Sequence, residues 1–190
     1  MKYVKKFDTH ADYEVFRETE DFIKPNVSFC VDPGEVHLTG HFNIKPNSFV
    51  YYSDVDMTDY SYGIMLNRWG NIEPISHSFE NGVGTVEFNG NIEQIDRHAI
   101  HLSTELDAIV LPSTVQTLED EFIYNGPSTL VVLAETPPQF TTTPTMFFSA
   151  IYVPASSLEA YRNDANWSLI SEVFLPADDF DPADLNADGN

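Results

Sequence analysis

Short runs of alternating apolar and polar residues dominate this chain, the period-two pattern of strands with one buried face. The first sixteen residues of interest, DTHADYEVFRETEDFI at 8–23, instead suit a short helix. Thr9 can cap it with Asp12 three residues on, Phe7, Tyr13 and Phe16 supply an apolar side, and Pro25 ends it. VSFCV and VHLTGHFNI then flank Asp32-Pro33-Gly34-Glu35, where proline presets φ and glycine accepts a positive φ. This predicts a hairpin of 27–31 with 36–44. SFVYYSDVDMTDYSYGIMLN at 48–67 holds two more strand candidates about a polar break at 53–59, and Trp69-Gly70-Asn71 signals a turn. Residues 1–78 thus read as a small β-rich N-terminal module with one helix.

From residue 83 the pattern repeats. GTVEFNGNIEQI, AIVLPSTVQTL, LVVLAETPPQF and AIYVPASSLEAY each begin with a strand-like run, break, and return with an apolar residue. Aligning the strand ends puts Phe88, Leu111, Leu133 and Val153 in register, at steps of 23, 22 and 20 residues. Such a unit cannot bury its apolar face alone, so neighbours stack over a shared core. The inward set becomes Val86 and Phe88, Ile109 and Leu111, Val131 and Leu133, Ile151 and Val153. Ile92, Ile95, Val115 and Leu118 form a second inward layer, which Pro137, Pro138 and Phe140 interrupt in the third unit. Ser156 or Ser157 can cap a closing helix through Leu158, Tyr161 and Trp167. The expected fold is mainly β with short helices (α+β). The β-rich module at 1–78 is followed by a short irregular leucine-rich-repeat-like solenoid at 79–177 and an acidic tail at 178–190.

Composition narrows the function. Thirty acidic against nine basic residues give a formal charge of −21, which repels phosphate backbones and anionic lipid, so neither nucleic acid nor membrane insertion is expected. Cys30 is the single cysteine, leaving no intrachain disulfide and no cysteine-based zinc site. No apolar run reaches the length of a membrane span, and no secretory signal is expected at the N-terminus.

The segments VEFNGNIEQI, IVLPSTVQTLEDEFIY and IYVPASSLEAYRNDANWSLISEVF resemble the BspA-type leucine-rich-repeat family across about residues 79–176. The last is similar to the terminal unit of such arrays, a strand ending in Val-Pro, a helix and an Asn-Trp pair. The chain departs from the family in having three to four units, the third without the consensus. The resemblance implies non-catalytic partner binding at bacterial or protist surfaces. The opening VKKFDTHADYEVF…EDFIKPNVSFCVDPGEVH resembles repeat-bearing virion proteins of tailed phages of gut bacteria, in which a short module anchors the repeats. A virion protein needs no export signal, so the expected location is the virion, with the bacterial cell surface as the alternative. The expected role is a structural or recognition component of a virion appendage, or else a surface adhesin or glycan-binding module. Expected partners are other proteins or a host-surface ligand, beginning with further copies of the chain in a symmetric homo-oligomer such as a trimer.

Candidate sites follow from the register. Outward residues Glu87, Val110, Val132 and Tyr152, with Leu130 in the next row, would make an exposed apolar patch of the kind that marks interfaces. His37 and His41 in a strand stand about 13 Å apart, too far for one metal. His98 and His101 lack a third ligand nearby in sequence. Cys30 could meet His37 or His41 across the hairpin, but no oxyanion loop or orienting residue accompanies them. Asp184, Asn186 and Asp188 before Gly189 match the first half of a calcium loop, yet the acid at position twelve is missing, so calcium should bind weakly or not at all. No cofactor is expected. A hydrolase would need two carboxylates about 5–10 Å apart in a pocket, and no motif predicts such a pair.

Overall fold

The computed structural model describes residues 30–32, 35–37, 44–58, 63–101, 106–182 and 185. Contacts divide the chain into two compact units, one of residues 1–43 and 178–190 and one of residues 44–177. In the first, β1 (Cys30–Asp32) and β2 (Glu35–His37) pair antiparallel, with Asp32 opposite Glu35 and Cys30 opposite His37. This is the hairpin expected around Pro33-Gly34, with shorter strands. The helix expected at 8–23 lies outside the described residues.

The second unit is mainly β with a few short helices. Its strands are β3 (Ser48–Ser53), β4 (Pro74–Glu80), β5 (Val83–Phe88), β6 (Gln94–Ile95), β7 (Ile100–His101), β8 (Leu106–Leu111) and β9 (Thr117–Leu118). There follow β10 (Ile123–Tyr124), β11 (Thr129–Val132), β12 (Gln139–Phe140), β13 (Ala150–Val153), helices α1 (Leu158–Asn163) and α2 (Trp167–Ile170), and β14 (Phe174–Pro176). Seven strands form one mixed sheet in the order β14-β13-β11-β8-β3-β5-β4.

One half of that sheet is antiparallel. Asn81 and Gly82 take φ of 51° and 80°, so the β4–β5 connection has the two positive values of a type I′ hairpin turn. β3 inserts between β5 and β8, antiparallel to both. Its Phe49 and Tyr51 point into the core, where Phe49 stacks on Trp69 at 4.2 Å between ring centroids. Tyr51 sits opposite Gly84 and lies across it: a Cβ there would meet Tyr51 Cζ at 1.9 Å. The ring thereby covers the bare backbone and stacks on Phe79 of β4 at 5.9 Å, the way an aromatic side chain stabilises a strand glycine.

The other half is parallel and periodic. Ile109, Leu130, Ile151 and Phe174 stand in register on β8, β11, β13 and β14, at offsets of 21, 21 and 23 residues. A second parallel stack aligns Ile95, Leu118 and Phe140 on β6, β9 and β12, at offsets of 23 and 22. A third pairs Ile100 with Ile123 on β7 and β10, at an offset of 23. Ile92, Ile95, Val115 and Leu118 are buried in the shared core as expected, and Phe140 packs against it. The third pass therefore keeps its stacking although Pro137 and Pro138 have displaced the consensus.

Four expectations need correction. The third strand is in register through Val132, which pairs with Leu111, so Leu130 and Val132 point inward where Val131 and Leu133 were expected. Phe88 does not continue the parallel stack, because β3 stands between β5 and β8. A boundary at residue 78 would cut through β4, whose residues pair with β5 in one hairpin. The closing helix is two helices, and Ser157 makes no capping side-chain bond. Asp164 separates them: its backbone is extended, and its carboxylate accepts the Asn166 and Trp167 N–H groups. The helices are fixed to the preceding pass by two buried donors. Tyr161 Oη donates to the Ala134 carbonyl at 2.8 Å and the Trp167 indole to the Pro138 carbonyl at 2.9 Å.

Candidate functional site

The anticipated apolar patch is interior. Leu130 and Val132 belong to the core face. Glu87, Val110 and Tyr152 do share the opposite face, through the cross-strand rows Val50–Val110–Val131–Tyr152 and Ser48–Glu87. On that face Val50, Ala108, Val110 and Val131 are buried, while Tyr152 and Glu87 are half-buried. Both sides of the central strands are thus removed from water, as in strands that read as continuous apolar runs. Glu87 is held by Lys45; that hydrogen bond, with the nearby ammonium charge and the Ser76 hydroxyl, keeps its carboxyl below the usual glutamate range despite some desolvation.

A polar cluster appears where none was anticipated, among Tyr51, Asp56, Thr58 and His77. Asp56 Oδ1 accepts hydrogen bonds from the Thr58 hydroxyl at 2.8 Å and from the Thr58 N–H and Tyr51 hydroxyl at 3.0 Å each. His77 Nε2 lies 3.1 Å from Tyr51 Oη and 3.4 Å from Asp56 Oδ1, and its Nδ1 lies 3.2 Å from Thr58 Oγ1. Desolvation acts to raise the Asp56 carboxyl, but the bonds from Thr58 and Tyr51 and the adjacent imidazole outweigh it and hold it below the usual aspartate value. The Asp56 carboxylate thus accepts three hydrogen bonds, two from Thr58 and one from Tyr51. The cluster is a clasp that ties the loop after β3 to β4, with no sequence signal beyond the spacing of Asp56 and Thr58, which suits a turn closed by its own side chain.

The third assembly stands at the exposed ends of β7 and β10. His98, His101 and Tyr124 place their ring centroids 5.2–5.4 Å apart, with His101 and Tyr124 stacked at 17°. His98 and Glu121, 23 residues apart, both take positive φ, 59° and 54°, so the same tight bend recurs on successive passes. Glu121 gathers Arg97 and the His98 Nε2, the latter at 3.2 Å, and these bonds hold its carboxyl low. His98 and His101, which lack a third ligand nearby in sequence, place their rings 5.4 Å apart, and Glu121 bonds His98. Among the described residues no group of three or more His, Cys, Asp or Glu side chains is arranged to hold a metal ion. His41, Asp184, Asn186 and Asp188 lie outside the described residues.

Comparison of the chain with known protein families, with curated proteins and with solved structures found no match.

Proposed function

We propose that the second unit is a short, irregular leucine-rich-type solenoid, and that the chain is a non-enzymatic structural and recognition component of a phage virion appendage. The observation that carries this reading is the recurrence of three parallel strand stacks at offsets of 21–23 residues, with one core shared by every pass. Stacked passes have rigid, extended outer surfaces suited to partner binding and no need of a cofactor. The N-terminal stretch that resembles virion proteins supplies the setting, with residues before the repeats as the anchor.

Appendages are closed symmetric assemblies, so the chain is expected to self-associate. Light scattering gives the absolute mass, with calcium and with chelator. A trimer or larger ring that is indifferent to chelation supports the reading. A monomer at tens of micromolar overturns the appendage and leaves a free-standing surface adhesin. A mass that changes with calcium would assign the assembly to the acidic tail.

A further inference from the structure

Besides Ile75 and Val83 of the β4–β5 hairpin, the exposed large apolar side chains among the described residues fall near one period, which begins at the half-buried His101. His101, Tyr124, Phe147 and Leu169 are separated by 23, 23 and 22 residues. Tyr124 is 37% exposed, Phe147 64% and Leu169 56%, while most other large apolar side chains among the described residues are buried. Their neighbours Ile123, Phe148 and Ile170 are buried, so each pass supplies the core with one residue and turns the adjacent one outward.

Backbone bonds bring these residues into one row. His101 and Tyr124 are partners on β7 and β10. Thr145 is held by Asp120, and the Ser149 N–H donates to the Ser128 carbonyl at 2.8 Å, so the segment that holds Phe147 is tied at both ends to the segment that holds Tyr124. The Phe148 N–H donates to the Ile170 carbonyl at 2.7 Å, which ties the segment holding Phe147 to the one holding Leu169. Val173, 43% exposed, extends the row. The margin is acidic: Glu119, Asp120 and Glu121 lie along one end and Glu172 at the other, while the guanidinium of Arg97 is already engaged by Glu121.

We propose that this row, His101–Tyr124–Phe147–Leu169, is the recognition surface, and that its partner is a different protein presenting apolar side chains framed by lysine and arginine. The inference rests on the recognition reading above. An apolar strip of this extent on a soluble surface marks an interface. Its acidic margin and the net charge of −21 favour a basic counterpart. A second copy of the chain would bring two acidic margins together, so self-association uses another surface.

The test takes the full chain and two synthetic amphipathic helices as probes, one of leucine and lysine, one of leucine and glutamate. Binding is followed by fluorescence anisotropy at about 150 mM salt, where exposed charges are largely screened. The lysine probe is expected to bind, with affinity lowered at least about tenfold in a Phe147→Ser, Leu169→Ser double variant, and the glutamate probe to bind far more weakly. Circular dichroism checks that the variant is folded like the wild type, with Phe147→Ser alone serving if the double variant is not, and light scattering reads its self-association. Equal binding by the variant would overturn the proposal, since general attraction to an acidic protein would then suffice. So would loss of self-association in the variant, which would make the row an interface between copies. An assembled wild type with equal binding in the variant would sink this surface and leave the appendage reading standing.

Discussion

Replacing Gly84 with alanine tests whether the Tyr51 ring lies across β5. The new Cβ would stand 1.9 Å from Cζ and 2.0 Å from Cε1 of that ring, far inside contact distance. Alanine by itself favours a strand over glycine by about 0.5–1 kcal/mol, through the unfolded chain. Against this, the overpacked core costs about 1–3 kcal/mol. If the ring swings out it also loses its hydroxyl bond to Asp56 and its stacking on Phe79, together about 1–2 kcal/mol more. The net expectation is a loss of about 2–3 kcal/mol, or a fall in Tm on the order of 10 °C for a unit of this size. Urea denaturation measures it. A double-mutant cycle with Tyr51→Leu isolates the cause, because leucine ends short of the clashing atoms. In that background Gly84→Ala should be neutral or stabilising. A cost below about 0.5 kcal/mol in the wild type, or an equal cost in both backgrounds, would refute the packing.

Three further perturbations probe other parts of the structure. Asp56→Asn should lower stability at neutral pH, and the gap to wild type should shrink as acid is added. The reason is that the Asp56 carboxyl is held below its ordinary value of 3.8, so its contribution is full above that value and lost as pH falls through the lower folded one. Repulsion among the other acids is common to both proteins and cancels; a gap independent of pH from about 7 to 3 would contradict the clasp. Tyr161→Phe should cost about 1–2 kcal/mol in urea denaturation by stranding the buried Ala134 carbonyl, and an unchanged midpoint would deny that bond a role. Val132→Asp should prevent folding, since the carboxylate would enter the core unpaired; a soluble variant with wild-type circular dichroism would return Val132 to the surface.

Much of the second unit was legible because its core residues recur at a period. Ile92, Ile95, Val115 and Leu118 could be placed from spacing alone, and all four are buried. The turn at Gly70, with φ of 65°, was marked by its dipeptide. Asn81-Gly82 carries the strongest short hairpin signal, and it joins β4 to β5 next to the boundary expected at residue 78. β3 could not have been placed by local reading. It follows the N-terminal segment in sequence yet pairs with strands that begin 35 and 58 residues after it, and nothing in SFVYYS names its neighbours. The clasp of Tyr51, Asp56, Thr58 and His77 depends on that same long-range pairing, so its members were equally hidden.

The inward register of the third strand, Leu130 and Val132 rather than Val131 and Leu133, has a physical origin. Alternation fixes which side chains face inward only where one face of a strand meets water. Leu130-Val131-Val132-Leu133 is apolar throughout, and Leu130, Val131 and Val132 are fully buried, so a one-residue slip changes nothing the sequence can report. Central strands are the ones a sheet buries on both faces. The two-residue strands behave differently. Each spends one residue on the core, Ile100 or Ile123, and turns the next outward, His101 or Tyr124. If the bends between strand stacks carry the recognition proposed above, they can vary without loss of the core, and Phe147 and Leu169 continue that surface past β10.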